Sequence, residues 1–129
     1  MVTRVSTGSP FEAKFGYARA VRHRDTIYVS GTTGYDYKAM TMPEDAGVQA
    51  ANALKTIGEA LHQLGSDIKD VVRVTYYVAN RADIEKIVAA VGPVFAEIRP
   101  AATMVLAQLI EEAMKVEIEV TARIGAQNS

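Results

Sequence analysis

The sequence has 129 residues, of which 49% are hydrophobic and 22% are charged, and its formal net charge is −1. This length and balance fit one folded domain and argue against global disorder or a second hydrophobic core. Because the net charge is close to zero, there is no electrostatic reason to expect nucleic acid or an anionic membrane as a partner. The absence of cysteine excludes disulfides, thiolate nucleophiles and metal sites with cysteine ligands.

Motifs for common cofactors and for membrane targeting are absent. There is no P-loop, dinucleotide fingerprint or nucleophile elbow, and His23 and His62 lie far apart without a metal-binding spacing. We therefore expect no metal site. No apolar run approaches the length of a membrane span, and the N-terminus lacks the apolar core of a signal peptide. These features favour a cytoplasmic protein without a membrane partner.

The N-terminal part is expected to begin irregularly and continue as a β-hairpin. Residues 1–14, which start with a stretch rich in Ser, Gly and Pro, are expected to form a loop or arm. Two short runs, FGYARAV and TIYVSG, flank the charged break RHRD, which favours two paired strands. The second strand, Thr26 to Ser30, ends at GTTG, where two glycines permit a tight turn or the close approach of a ligand.

A long helix is expected after the hairpin. Thr41 to Glu44 has the spacing of a capping box with proline in the first turn, and Gly65 is well placed to end the helix. Gly58 costs about 1 kcal/mol relative to alanine and suggests close packing at mid-helix. An apolar stripe with spacings of four and three is formed by Ala50, Leu54, Ile57, Leu61 and Leu64. The other faces carry Gln49, Asn52, Lys55, Glu59 and Gln63.

The second half of the chain predicts three strands and one helix. Asp70 to Ala79 (DVVRVTYYVA) is the strongest strand signal, and Asn80 is suited to cap the helix that follows. The apolar positions of that helix are Ile84, Ile87, Val88, Val91 and Phe95. Gly92-Pro93 is expected to kink or interrupt it. Ala101 to Ala107 and Lys115 to Ile124 are expected to be the last two strands.

The element order ββαβαββ indicates one α+β domain over residues 1–129, with two helices on one face of a mixed sheet. The strand residues expected to face these helices are Val72, Val74, Val78, Val116, Ile118 and Val120. The opposite face then carries Thr75, Tyr77, Glu117 and Glu119, joined by Tyr28 or Ile27 and, according to register, by Thr103 with Val105 or by Ala102 with Met104. Because this second face mixes apolar and polar side chains, we expect it to lie at a subunit interface of an oligomer.

The last strand raises the main functional question. In KVEIEVTAR, Lys115 to Arg123, the side chains alternate, so Glu117 and Glu119 point to the same face. One interpretation is a strand surface that is kept soluble by charge. The other is a carboxylate that performs acid–base chemistry, which requires a partly dry cleft and a shifted pKa. Periodicity does not decide between them.

Other candidate residues favour ordinary structural roles. A basic cluster near the first hairpin is suited to contact phosphate, but it fits a solvated turn better because no aromatic residues interleave it: Arg19, Arg22, His23 and Arg24. His62 lies beside the apolar stripe and fits a partly buried helix surface. Most of the six tyrosines fit packing roles, although some hydroxyls are suited to orient a ligand in a cleft.

Four segments, GYARAV, TIYVSGTTG, RPAATMV and KVEIEVTA, together and in this order resemble the Rid family, also called YjgF-type or L-PSP proteins. The resemblance runs from Gly16 to Ile124. It implies a chorismate-mutase-like fold, a homotrimer and three clefts between neighbouring subunits. Well-known members hydrolyse reactive enamines and imines such as 2-aminoacrylate, releasing ammonia and a 2-keto acid. The resemblance implies that no metal or organic cofactor is needed.

The same resemblance implies roles for individual residues. Tyr17 corresponds to a tyrosine of the family's cleft, and Ser30 and Gly31 correspond to a strand-end pair whose backbone lines it. Glu117 corresponds to the carboxylate credited with activating or holding water. Glu119 corresponds to a neighbouring acidic position with less claim to the chemistry.

One segment departs from the family pattern. Active deaminases carry an arginine that clamps the substrate carboxylate, and Ala102 stands at that position here, followed by Thr103 and Met104. Alanine provides none of the bidentate hydrogen bonding of an arginine clamp. Arg99, three residues earlier, is a possible substitute if its side chain is aimed into the same cleft.

These observations predict a trimer that binds a small metabolite. It is expected to hydrolyse an imine, enamine or related carbonyl compound, with weak or no activity on 2-aminoacrylate. A ligand-binding or regulatory trimer without catalysis is the alternative. An L-PSP-type endoribonuclease or translation inhibitor is less favoured, because the sequence has no basic stripe for RNA.

Overall fold

Six strands form one mixed sheet. The computed structural model describes residues 1–129. Its strands are β1 (Val2–Val5), β2 (Ala20–His23), β3 (Thr26–Thr33), β4 (Val71–Val78), β5 (Ala101–Leu106) and β6 (Val116–Arg123). They are arranged in the order β1-β2-β3-β6-β4-β5, and every neighbouring pair is antiparallel except β4 and β5. The predicted mixed sheet of an α+β domain is therefore confirmed.

Two long helices cover one face of this sheet. They are α2 (Ala46–Gln63) and α3 (Ile84–Phe95), and all five residues of the predicted α2 stripe are buried. Ile87, Val91 and Phe95 of α3 join the same core cluster. Their burial against the sheet, more than helix propensity, stabilises these helices. Neither helix is long and apolar enough to cross a membrane.

The loop or arm expected over residues 1–14 instead contains two regular elements. β1 pairs with β2, and Pro10–Phe15 forms a short helix, α1. Ser9 caps α1 by accepting a hydrogen bond from the amide of Phe11 at 3.2 Å. Gly16 ends it with a φ of 78°, a conformation that favours glycine. The caps of α1 were therefore present in the sequence, but the helix is too short to show a periodic apolar pattern.

The start and middle of α2 also differ from expectation. The helix begins after Asp45, whose side chain accepts a hydrogen bond from the amide of Val48 at 3.0 Å, so Thr41 to Glu44 precede it. Its end agrees with the prediction, because Gly65 follows with a φ of 86°. A Cβ placed on Gly58 would meet no atom within 4 Å, so close packing does not explain this glycine.

Two further expectations are corrected by the strands and by α3. Helix α3 continues through Gly92 and Pro93 to Phe95, so the proline does not interrupt it. The register of β4 shifts between Val71 and Arg73, which places Val71 in the core and leaves Val72 exposed. Such a bulge reverses the facing of every side chain on one side of it.

The register also decides which residues lie on the face that the helices leave uncovered. Thr103 pairs with Thr75, and Val105 pairs with Tyr77, so these β5 residues lie on the uncovered face. Tyr28 lies there too and is 55% exposed, whereas Ile27 is buried in the core. The uncovered face therefore carries exposed or half-buried apolar and aromatic side chains, including Tyr28, Tyr77 and Val105, beside its polar ones.

Candidate functional site

A cleft of about 380 Å³ lies beside the C-terminal end of β3 and the first half of β6. It is lined by Phe11, Phe15, Tyr17, Ser30, Gly31, Thr33, Tyr37, Ile110, Met114, Glu117 and Glu119. The predicted Tyr17, Ser30, Gly31, Glu117 and Glu119 are thus brought together in one chain. The cleft is within the size range of small-molecule sites.

An irregularity in β3 sets the distance between Gly31 and Glu117. Thr33 pairs with Glu117, but the β3–β6 register shifts between Val29 and Thr32, so Gly31 falls outside the regular ladder. A Cβ placed on Gly31 would collide with the Oε2 of Glu117 and lie 2.8 Å from its Cδ. Only glycine leaves room for this carboxylate to lie against the strand. The Ser30 hydroxyl donates to the carbonyl of Ala18 at 2.7 Å and holds the β3 strand end in place.

The two glutamates of the cleft differ in their surroundings. Glu119 accepts a hydrogen bond from the hydroxyl of Tyr77 at 2.6 Å. Glu117 has no such partner in the chain and is half-buried. Its burial raises the pKa of Glu117 above the ordinary value, the negative charge of Glu119 raises it further, and Arg19 acts in the opposite direction. Glu117 is therefore the carboxylate free to exchange protons with a ligand or water.

Tyr17 enters the cleft immediately after α1. The carbonyl of Glu12 accepts hydrogen bonds from the amides of both Gly16 and Tyr17 at 3.0 Å, so the end of α1 fixes the tyrosine backbone. Burial raises the pKa of Tyr17, partly opposed by Arg19, so its hydroxyl stays protonated at neutral pH. A protonated hydroxyl is suited to donate a hydrogen bond to a ligand.

Arg19 is the residue that sequence reasoning placed wrongly. Expected in a solvated turn, it is only 1% exposed and forms an ion pair with Glu12 at 3.3 Å. Its guanidinium also donates to the carbonyl of Gly31 at 2.8 Å and packs over the ring of Tyr37 at 4.8 Å. The pairing partner lies on α1, which the sequence pattern did not reveal. Of the other members of the basic cluster, His23 and Arg24 are exposed, as expected for a turn.

The loop that joins β5 to β6, residues 107–115, forms one rim of the cleft. Gln49 of α2, expected on a polar face, is fully buried and holds this loop: its amide donates to the carbonyl of Ala113 at 2.9 Å, and its oxygen accepts from the amide of Lys115 at 2.9 Å. The hydroxyl of Tyr35 donates to Glu111 of the same loop. This hydrogen bond and burial raise the pKa of Tyr35 to about 12.

The residues at the expected clamp position do not reach this cleft within their own chain. They lie on β5, which is separated from β6 by β4. Ala102 and Thr103 are exposed, and Met104 packs partly against the core. Arg99 precedes β5 with a φ of 55° and does not line the cleft.

The structure shows no cluster of metal-ligating side chains. No three carboxylate or histidine side chains converge closely enough to hold a metal ion. The cleft contributes two glutamates, and one of them is already bound to Tyr77.

Comparison with known proteins identifies the family. The profile described as Endoribonuclease L-PSP matches residues 7–124. The chain belongs to this L-PSP family, which includes the YjgF and Rid proteins. The resemblance predicted from four short segments is therefore confirmed.

Two relatives are similar to the chain over most of its length. The chain is 34% identical over 129 residues to an uncharacterized protein of Streptomyces coelicolor, covering 99% of this chain and 96% of that one. It is 31% identical over 110 residues to the 2-iminobutanoate/2-iminopropanoate deaminase of Mus musculus, covering 84% and 82% of the two chains.

Solved structures of L-PSP relatives share the fold. A Mycobacterium tuberculosis member of the YjgF/YER057c/UK114 family has a TM-score of 0.88 and 37% identity, covering 96% of this chain and 100% of that one. The YjgF protein of E. coli has a TM-score of 0.82 and 25% identity, covering 94% and 98%. The chorismate-mutase-like fold expected from the sequence is thus the observed one.

Proposed function

We propose that this protein is a homotrimer that binds a small metabolite in clefts between subunits and hydrolyses an imine, an enamine or a related carbonyl compound. The observation that carries the proposal is the half-buried carboxylate of Glu117, which lies in the cleft against Gly31 and near Tyr17. Relatives named as 2-iminobutanoate/2-iminopropanoate deaminases support the reaction class.

The chemistry requires little from the protein. An imine carbon is electrophilic, so a positioned water and a group that moves protons are sufficient. Glu117 orients the water and accepts its proton, because a carboxylate with a raised pKa exchanges protons more readily near neutral pH. The Tyr17 hydroxyl orients the ligand, and the Gly31 amide contacts a ligand oxygen. No metal or organic cofactor takes part.

In the proposed trimer, β5 residues of a neighbouring subunit complete each cleft. Ala102, Thr103 and Met104 lie outside the cleft of their own chain, so they reach a cleft only from a neighbouring subunit. Since Ala102 provides no guanidinium, a substrate carboxylate finds no bidentate partner there, and Arg99 would have to replace it. Activity on 2-aminoacrylate is accordingly weak or absent.

Ammonia release from freshly generated imines tests this function. We expect turnover of at least one imine or enamine by the native protein and a loss of about a hundredfold or more in Glu117→Gln. The matched control is Glu97→Gln, which removes an exposed carboxylate at the end of α3 and should leave the rate unchanged. Saturable ligand binding without turnover, unaffected by Glu117→Gln, would instead identify a binding or regulatory trimer.

The ribonuclease activity in the family description has weaker support in this chain. The net charge is −1, and the cleft carries two carboxylates that would repel phosphate. We expect no RNA binding that exceeds the background and no dependence of such binding on salt. RNA cleavage abolished by Glu117→Gln would contradict the imine hydrolase proposal.

A further inference from the structure

The charges that line the cleft are all of one sign. Glu117 and Glu119 contribute two carboxylates, and no lysine, arginine or histidine is among the lining residues. A ligand carboxylate placed in this cleft would meet two negative charges and no cation from the same chain. Like charges held at close range in a partly dry site repel by more than they do in water.

The one cation close to Glu117 is not available to a ligand. Arg19 has five N–H donors, and each is directed at a protein acceptor. Glu12 receives the Nε donor at 3.4 Å and one Nη2 donor at 3.3 Å, and Tyr17 lies 3.5 Å from Nη2. The Nη1 donors go to the carbonyl of Gly31 at 2.8 Å and the hydroxyl of Thr32 at 3.1 Å. Since Arg19 is also almost fully buried, it does not serve as a carboxylate clamp.

The electrostatics of Glu117 point in the same direction. Burial and the neighbouring Glu119 raise the pKa of Glu117. The negative charges of the two glutamates are therefore already unfavourable side by side. An anionic ligand would add to this repulsion. A ligand that becomes positively charged at nitrogen would relieve it, and a positive charge develops when an imine is protonated.

Part of the cleft wall is apolar and aromatic. Phe11 and Phe15 stack with ring centroids 6.3 Å apart, and Phe11 lies 5.9 Å from the ring of Tyr35. Phe15 is 56% exposed and Ile110 is 71% exposed at the rim, which is high for side chains of this size. Such side chains gain stability when a flat apolar group covers them.

We propose that the cleft selects imines and iminium ions that carry an aryl or alkyl substituent and no carboxylate. This inference rests on the function proposed above and names its substrate class. The apolar substituent packs between Phe15 and Ile110, and the nitrogen faces Glu117 and Glu119. The carboxylate of an amino-acid-derived imine is repelled by Glu117 and Glu119, and Ala102 offers it no guanidinium.

The reaction balances with water alone. Water oxygen bonds to the iminium carbon while Glu117 accepts one water proton, which gives a neutral carbinolamine. Glu117 returns that proton to the nitrogen. The carbinolamine hydroxyl then loses its proton to Glu117 as the carbon–nitrogen bond breaks, and the released amine takes this proton. An iminium ion and one water thus become one carbonyl compound and one ammonium ion.

A matched pair of imines tests the selectivity. The imine of benzaldehyde with methylamine is compared with that of phenylglyoxylate, which carries a carboxylate in place of the hydrogen on the imine carbon, and hydrolysis is measured above the spontaneous rate. We expect kcat/KM to favour the uncharged imine by about tenfold or more, and Glu119→Gln to reduce this preference. Phe15→Ala should lower kcat/KM for the benzaldehyde imine more than for the smaller acetaldehyde imine. Equal or better turnover of the carboxylated imine would overturn the inference while leaving imine hydrolysis in place.

A binding measurement separates this inference from the proposed activity. Benzylammonium and benzoate are titrated into the native protein by calorimetry, which needs no turnover. We expect benzylammonium to bind about tenfold or more tightly than benzoate, and Glu97→Gln to leave this ratio unchanged. If no imine is hydrolysed but benzylammonium is still preferred, the proposed function fails and the ligand class stands. If benzoate binds as tightly as benzylammonium, the ligand class is wrong.

Discussion

At the residue scale, Gly31 is the position where a single methyl group has the clearest consequence. A Cβ there would collide with the Glu117 carboxylate, whereas the backbone of Gly31 has no positive φ that would strain an alanine. We expect Gly31→Ala to displace Glu117 and to lower kcat/KM by about a hundredfold. The midpoint of thermal unfolding should change little, because the end of a glutamate side chain moves easily. Imine hydrolysis and thermal melts of the same samples check both statements.

A second glycine provides the control for this variant. Gly58 lies in α2, where an added Cβ would meet no atom within 4 Å. Gly58→Ala should therefore raise the free energy of unfolding by about 0.5–1 kcal/mol and leave turnover unchanged. Equal losses of activity in both alanine variants would show that the effect of Gly31→Ala is unspecific.

The raised pKa of Glu117 predicts a pH-dependent cost to stability. Because burial and Glu119 raise this pKa above its ordinary value of 4.5, the folded protein disfavours the charged carboxylate. The cost is absent below the ordinary pKa and grows as pH rises through the raised one. Glu117→Gln should thus unfold at a higher temperature than the native protein at pH 7 and at a similar temperature near pH 4. A native protein that is the more stable of the two at pH 7 would contradict this assignment.

At the element scale, the ion pair between Glu12 and Arg19 joins α1 to the strand end that carries Gly31. Removing one partner leaves the other charge buried, so Glu12→Gln should lower the free energy of unfolding by about 3–5 kcal/mol. The double variant Glu12→Gln with Arg19→Met should be more stable than Glu12→Gln alone, because it removes the unpaired cation. Urea unfolding of the native protein, Glu12→Gln, Arg19→Met and the double variant measures this coupling. If the losses in the free energy of unfolding of the two single variants add up to that of the double variant, the pair does not couple α1 to β3.

Gln49 connects another pair of elements, α2 and the 107–115 loop. In Gln49→Leu, the carbonyl of Ala113 and the amide of Lys115 lose their partners, which should cost about 2 kcal/mol. Hydrogen exchange should accelerate at the Lys115 amide before it does in the sheet. The control Gln63→Leu changes an exposed glutamine of the same helix. Unchanged exchange at Lys115 would show that Gln49 does not hold the loop.

The elements with a sustained apolar period were predictable, and those held by single polar contacts were not. The α2 stripe and the alternation of β6 are repeated several times, so each extra turn or strand residue supports the same assignment. Helix α1 offers six residues between two caps, and the β4 bulge depends on one register shift. Arg19 was misplaced because its burial requires Glu12, whose position becomes known only when α1 is folded.

At the scale of the whole molecule, the family and the cleft differ in how far the sequence determines them. Four short segments in order were sufficient to predict the family, and five of the candidate site residues line one cleft: Tyr17, Ser30, Gly31, Glu117 and Glu119. The apolar wall was not predicted: Phe11 was assigned to a loop and Phe15 to the first strand, although both lie on α1, and the loop with Ile110 was left open. Contacts between such elements depend on the folded topology, whereas the four family segments can be recognised from consecutive residues alone.

The uncovered face of the sheet carries the last prediction, which concerns assembly. Tyr28 and Val105 lie on this face, 55% and 39% exposed, and the helices cover only the other side. Burial of these side chains between subunits would stabilise an oligomer. We expect the native protein to sediment as a trimer and Val105→Asp to shift it to monomers. The control Val88→Asp changes an exposed valine on α3, 47% accessible, and should remain trimeric.

Assembly and catalysis should then fail together. If each cleft is completed by a neighbour, Val105→Asp monomers should lose imine hydrolysis although Glu117, Tyr17 and Gly31 remain folded in every chain. Circular dichroism of the monomer should show the native secondary structure, which separates loss of assembly from unfolding. Monomers with full activity would place the complete site within one chain, and the residues of β5 would then have no part in it.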